Sequence, residues 1–269
     1  MINIFHSVVI KLRALKSGTY DFCPVQKIHS FFLGLIRKSN EQMSKQLHDE
    51  HKEKSFTVSS FLGKEIDRSI EIQESGYYFI RLTILDEEVF NTMISSLLEK
   101  NTLREDVRIG NIDYRILELF FDKEQSKWAD CVSDQELFNR RYTSNLIKLR
   151  FYTPTLFRSG DLHCKQPIPE KVFTSLFRKF NKYSEEKFDE NIEERFKTIT
   201  IHEKKTQSRR VSFRDFYLEG FIGDVIFKIP DHDDQLIKVA NVLADFAFYA
   251  GVGYKTTMGL GQVQRIPLE

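Results

Sequence analysis

Ala250-Gly251-Val252-Gly253-Tyr254-Lys255-Thr256-Thr257-Met258-Gly259-Leu260-Gly261-Gln262-Val263 is the stretch on which the reading of this chain turns. Four glycines, two threonines and a lysine share one loop. Glycine admits positive φ and lets another backbone approach closely. Successive N–H groups in such a loop make a concavity for anions, and Lys255 adds a full charge beside it. A phosphate chain is the ligand this chemistry suits. A Walker loop is excluded, because its lysine directly follows the last glycine and its loop runs from a strand into a helix. Here a helical pattern, Asp231 to Tyr249, precedes the loop and a strand pattern, Gln262 to Ile266, follows it. A plain helix-to-strand connection is the competing reading, but it needs one glycine rather than four.

Working outward, the preceding elements read as a strand (Leu146 to Tyr152), a helix (Pro169 to Lys182) and strands at Phe196 to His202, Val211 to Leu218 and Phe221 to Ile229. Proline at a first helical turn is correctly placed, since its missing N–H would have no partner there. The first half carries the same order. Ile2 to Leu15 reads as a strand. Ile28, Phe31, Phe32, Leu35 and Ile36 fall on one helical face, and a second helical piece covers Asn40 to Leu47. Strands at Phe56 to Leu62 and Tyr77 to Leu85, a helix from Asp86 to about Glu99, and a strand at Ile112 to Phe121 complete it. Asp122 to Phe138 is polar, holds the one tryptophan, Trp128, and reads as a connection. A β-α-β-β-α-β order given twice predicts an α+β fold of two tandem ferredoxin-like (RRM-like) units. The expected boundaries are residues 1–122, a connection over 123–143, and 144–269.

Composition limits the function classes. The formal net charge of 269 residues is +1, so any nucleic-acid surface must be local. Cys23, Cys131 and Cys164 lie far apart without C-x-x-C spacing, which argues against a disulfide framework and a cysteine zinc site. A reducing cytoplasm is the expected compartment. Lys11, Arg13 and Lys16 interrupt the apolar start, so no signal peptide is expected, nor any membrane contact.

Three clusters bear on chemistry. His29 opens the aromatic helix; His48 ends the second helical piece, followed by Asp49, Glu50, His51, Lys52 and Lys54. Histidine is the natural proton carrier near neutral pH. RNA cleavage by its own 2′-hydroxyl needs a base, an acid and a cation, which two histidines and a lysine supply without metal. The alternatives stay open: His48 and His51 as C-terminal helix caps, His29 as a buried structural residue, and His48 with His51, Asp49 and Glu50 as a metal site that no further cluster supports. Lys204-Lys205-Thr206-Gln207-Ser208-Arg209-Arg210 lies between two strand patterns and reads as a basic hairpin able to grip a phosphate backbone, or as an exposed solvated turn. In Tyr152-Thr153-Pro154-Thr155-Leu156-Phe157-Arg158, Pro154 is expected to end the strand, and Thr155 and Arg158 are placed to meet phosphate or to form a structural turn.

Together these segments resemble the CRISPR-associated endoribonucleases that process precursor CRISPR RNA, within the repeat-associated RNA-binding superfamily. Gly251 to Val263 is similar to that family's glycine-rich signature. Thr153 to Arg158, with Pro167, Pro169 and Phe173 to Phe177, resembles its mid-chain block. His29 to Leu33, Leu47-His48 and Lys54 to Ser59 resemble its N-terminal block, and Gly220 to Val225 the strand before the final helix. The resemblance implies metal-independent cleavage within repeats, without a cofactor, leaving a 5′-hydroxyl and a cyclic or 3′-phosphate. His48 matches the recurrent catalytic histidine and Lys54 a lysine that supports the transition state. Some members carry a tyrosine on the first helix where this chain has Arg37, so His29 is the candidate base. Repeat RNA would be bound by Gly251, Gly253, Lys255, Thr256, Thr257, Gly259 and Gly261, with Lys204, Lys205, Arg209, Arg210 and Arg158. The same superfamily supplies non-catalytic subunits that hold guide RNA, which is the competing function. Effector-complex subunits and a second copy of the chain are the other partners the resemblance brings.

Overall fold

The computed structural model describes residues 2–49, 54–99 and 106–268. The first unit contains β1 (Ile4–Ala14), β2 (Gly18–Tyr20), α1 (Val25–Ser39), α2 (Glu41–His48), β3 (Phe56–Val58), β4 (Ile70–Ile72), β5 (Tyr77–Ile84), α3 (Glu87–Glu99), β6 (Asp106–Ile109), β7 (Ile112–Phe120), β8 (Asp130–Ser133) and α4 (Asp134–Asn139). The second contains β9 (Leu146–Thr155), β10 (Phe157–Ser159), β11 (Leu162–Cys164), α5 (Pro169–Tyr183), a 3-10 helix over Glu190–Thr198, β12 (Thr200–Ser212), β13 (Tyr217–Lys228), α6 (Asp234–Ala250) and β14 (Val263–Arg265).

The two main sheets share one antiparallel plan. The first runs β3-β5-β1-β7-β6 and the second β12-β13-β9-β14. Numbering each unit's four framework strands in chain order, both read 2-3-1-4, the ferredoxin-like order expected from the repeated pattern. In α1 the apolar positions recur at helical spacing, and Ile28, Phe32 and Ile36 are fully buried. Burying one such side chain contributes about 1.5–3 kcal/mol. Asn40 ends α1 in an extended conformation and caps α2, its side chain accepting from the Met43 N–H at 2.9 Å. That pairing turns the chain sharply and brings His48, the last residue of α2, back toward α1.

Several elements differ from expectation. β12 runs through the whole basic segment: Lys204 pairs with Val225 and Arg210 with Glu219, and the turn lies at Phe213 to Phe216. As an edge strand with both faces largely exposed, β12 is held by its backbone ladder and shows no apolar alternation to read. Pro154 lies inside β9 rather than ending it. Phe196 belongs to the 3-10 helix, and the strand begins only at Thr200. Part of the polar stretch after Asp122 is structured. β7 pairs with β1 only from Val9 onward, which leaves Ile4 to Ser7 open for β8. His51 lies outside the described residues.

The two cores exchange residues. Val211, Phe213, Leu218 and Leu260 of the second unit pack in the first core, while Phe5, Leu85 and Val132 pack in the second. Among the described residues no helix is long and apolar enough to cross a membrane.

Candidate active site

The glycine-rich segment is a loop pinned at several points to the second sheet. α6 ends where the Gly251 N–H bonds the Ala247 carbonyl at 2.9 Å. Val252 N–H then bonds the Gly261 carbonyl at 2.9 Å, which closes the loop, and Gly261 N–H bonds the Pro154 carbonyl at 3.1 Å. Tyr254 N–H bonds Leu156 at 2.8 Å. The glycines are required by contact. At Gly261, with φ +66°, an added Cβ would stand 1.9 Å from the Val252 oxygen; at Gly253, with φ +86°, it would stand 2.4 Å from the Leu156 oxygen. Gly259 presses against Val25 of α1, so the loop rests on the first unit.

Lys255 adopts left-handed φ and ψ of 56° and 41°. Its ammonium lies 5.4 Å from the Phe216 ring centre and 5.2 Å from that of Tyr254. Thr256 is buried and Thr257 half-buried. Beneath the loop, the buried Lys179 of α5 donates to the Ala250 carbonyl at 2.8 Å and reaches Thr256 Oγ1 at 3.4 Å. A cation there stabilises the carbonyl end of α6.

Across from the loop stand the residues of the first unit. A cleft of about 530 Å³ is lined by His29, His48 and Lys54 on one side, and by Arg158, Gly253, Lys255, Thr256 and Thr257 on the other. His29 is half-buried on α1, its ring 5.6 Å from that of Phe56. Its imidazolium is disfavoured, with the pKa pushed down to about 4: burial contributes most, followed by the charges of His48, Lys54 and Lys255. His48 is exposed at the carbonyl end of α2. Lys54 donates to the Asp49 carbonyl, which anchors its ammonium beside that helix end. Arg158 donates to the Gly160 carbonyl at 2.8 Å and to the Tyr254 hydroxyl at 3.2 Å. The cleft gathers neutral imidazole, ammonium and guanidinium groups, an arrangement suited to a polyanion.

Not every expected residue lies there. Lys204, Lys205, Arg209 and Arg210 lie along β12, outside the cleft lining. Arg209 pairs with Asp67 of the first unit at 2.8 Å, and the Arg210 guanidinium stacks 4.3 Å from the Tyr217 ring centre. Lys204 reaches Gln166 at 3.1 Å and Lys205 reaches Glu203 at 2.7 Å. Arg37 lines a different groove, on another face of α1.

Sequence reasoning missed the buried cations. Arg81 of β5 is 1% exposed and meets mainly neutral acceptors. It donates to Ser7 Oγ at 2.7 Å, Gln262 Oε1 at 2.6 Å and the Phe248 carbonyl at 2.6 Å, with its guanidinium 4.0 Å from the Phe248 ring centre. Burial pushes its pKa down to about 9. Arg81 thus holds the chain just before and just after the glycine loop, and does so from the unit that carries the histidines. A signal existed for both cations: Arg81 interrupts an otherwise apolar strand, and Lys179 sits among Leu176, Phe177 and Phe180.

Comparison with known proteins agrees with this fold. The family model described as CRISPR-associated endoribonuclease Cas6 matches residues 149–263, and that described as CRISPR Cas6 N-terminal domain matches residues 4–139. A curated CRISPR-associated endoribonuclease Cas6 from Streptococcus thermophilus is 28% identical over 136 residues, 48% of this chain and 54% of that protein. One from Mycobacterium tuberculosis is 26% identical over 134 residues, 49% of this chain and 42% of that protein. The chain thus aligns with about half the length of the curated relatives it matches. Among solved structures, the Cas6 (TTHA0078) product complex superposes with a TM-score of 0.80 at 25% identity, covering 98% of this chain and all of that one. Thermus thermophilus Cas6 (TTHB231) gives 0.75 at 21%, covering 98% and 99%. With both halves matched by the two models of one family, the chain belongs to the CRISPR-associated Cas6 family.

Proposed function

We propose that this protein is an endoribonuclease that cuts precursor CRISPR RNA within its repeats, by attack of a 2′-hydroxyl and without a metal ion. The observation that carries the reading is the cleft itself. His29, His48 and Lys54 of the first unit line the same cleft as Lys255 and Thr257 of the glycine loop. The curated relatives named as endoribonucleases support RNA as the substrate.

In this scheme the loop and Arg158 hold the phosphates flanking the scissile bond. His29 is neutral at pH 7 and takes the 2′-hydroxyl proton. The O2′–P bond forms as the P–O5′ bond breaks, and His48 delivers a proton to O5′. The products are a 5′-hydroxyl and a 2′,3′-cyclic phosphate. Lys54 and Lys255 offset the charge that grows on the phosphorane oxygens. A base with so low a pKa is weak, but the arriving phosphate is a negative charge beside His29 and raises its pKa toward neutrality. Each proton transfer contributes on the order of 10²–10⁴ in rate. The cationic lining named above repels a divalent ion, which is why the chemistry is assigned to side chains. The catalytic groups belong to the first unit and the phosphate-holding loop to the second, and repeat RNA bridges the two.

The test is the chemistry of the ends. Repeat RNA carrying a 2′-deoxy nucleotide before the cut should remain whole, and ribose RNA should yield a 5′ end that polynucleotide kinase labels without prior dephosphorylation. Cleavage of the deoxy substrate would exclude 2′-hydroxyl attack.

A further inference from the structure

A second cavity of about 600 Å³ lies between α1 and β6, the edge strand of the first sheet. Its floor is apolar, built from Phe31, Leu35 and Val107. Its rim is basic: Lys27, Arg37, Lys38 and Arg108 line it, Arg108 pairing with Asp113 at 3.5 Å, and Asp106 is the one carboxylate among the described lining residues. Asp106 is already paired with Arg115 at 2.8 Å, so it offers little negative charge to a ligand. Gly34 lies in the middle of this face of α1, and a Cβ added there meets nothing within 4 Å. The groove is therefore open where the helix passes it.

Two residues connect this groove to the candidate active site. Gln26 and Ser30 line both cavities. The first turns of α1 are thus a shared wall, with His29 on the cleft side and Lys27 and Phe31 on the groove side. A strand leaving the cleft over Gln26 and Ser30 enters the groove along residues that line both cavities.

We propose that this groove binds the single-stranded RNA adjoining the scissile phosphate. The inference rests on the nuclease reading of the cleft. Single-stranded nucleic acid is held by cations that follow its backbone together with apolar or aromatic surface under its base faces. A duplex hides those faces, so an apolar floor inside a basic rim favours unpaired nucleotides. An acidic protein segment shares the charge complementarity, but continuity with a cleft that processes RNA favours the polynucleotide. The α1–β6 groove thereby fixes which strand of the substrate runs past α1, and adds affinity that a minimal RNA ending at the cut does not have.

The test uses the full protein and two uncleavable repeat RNAs with a 2′-deoxy nucleotide at the cut. One ends just past the cut and the other continues as an unpaired strand, prepared in 5′- and 3′-extended forms. Affinities are measured in wild type, in Gly34→Glu, which fills and charges the groove, and in Arg37→Ala/Arg108→Ala, which removes two rim cations. Wild type should prefer one extended RNA. That preference should fall roughly tenfold in Gly34→Glu, in line with the loss of one base contact. In the double variant the slope of log K against log salt for the extended RNA should fall by about 1.4, as expected for two phosphate contacts on a single strand. Equal preference in wild type and both variants overturns the groove assignment and leaves the groove to an acidic protein partner, while the nuclease reading stands. Wild type that neither binds these RNAs nor cuts their ribose counterparts overturns the nuclease reading itself.

Discussion

Replacing His29 with asparagine should flatten the acid side of the stability profile. In the folded protein the His29 pKa is pushed down from 6.5 to about 4, chiefly by burial. Above pH 6.5 the imidazole is neutral in both folded and unfolded chains and contributes no pH dependence. As the pH falls through 6.5, the unfolded chain takes up a proton that the folded chain refuses until about pH 4. Stability therefore drops across that window and levels off below it. The full loss is about 3 kcal/mol, of which about 2 kcal/mol falls between about pH 7 and pH 5. For a chain of this size that corresponds to a Tm decrease of about 4–8 °C. Every other side chain is common to wild type and variant, so the readout is the difference between the two Tm-against-pH curves. Wild type should lose more than His29→Asn by that amount. Parallel curves would show that His29 is not held neutral by its surroundings, and would remove the basis for its role as the base.

Other predictions follow from the same geometry. The acid limb of kcat should lie at higher pH than that of kcat/KM, because bound phosphate raises the His29 pKa and the two parameters report bound and free enzyme; coincident limbs would contradict this. Lys255→Ala should lower the salt slope of single-stranded RNA binding by about 0.7, measured by titration at several salt concentrations. Gly261→Ala should destabilise the protein by more than about 1 kcal/mol in denaturant unfolding, since its Cβ would meet the Val252 oxygen in a left-handed backbone. Arg81→Met strands the buried Phe248 carbonyl and the Gln262 amide oxygen, so unfolding free energy should fall by several kcal/mol, at about 1–3 for each unpaired group.

Much of this was legible in one sequence because it is written locally. The period of Ile28, Phe32 and Ile36 and the proline at α5 each report their own neighbourhood, and the framework strand order repeats the pattern read from them. The glycine loop was legible because steric demands at Gly253 and Gly261 leave a compositional trace. What stayed hidden depends on distant partners. β12 is stabilised by its ladder to β13 rather than by burial, so its polar sequence read as a turn. β8 exists because β7 leaves part of β1 uncovered, which nothing near Asp130 announces. The role of Arg81 appears only when residues 7, 81, 248 and 262 meet. The candidate catalytic residues were nameable, but that His29, His48 and Lys54 face Lys255 is a property of the packed units.

The measurement that bears most directly on the central claim is incubation of wild type and His48→Ala with repeat RNA in EDTA, resolved on a denaturing gel alongside a binding titration. The account predicts one cut by wild type, and a rate at least about a hundredfold lower in the variant with RNA affinity retained. Cleavage by His48→Ala at the wild-type rate, or wild-type cleavage that stops in EDTA and returns with added divalent ion, would contradict it.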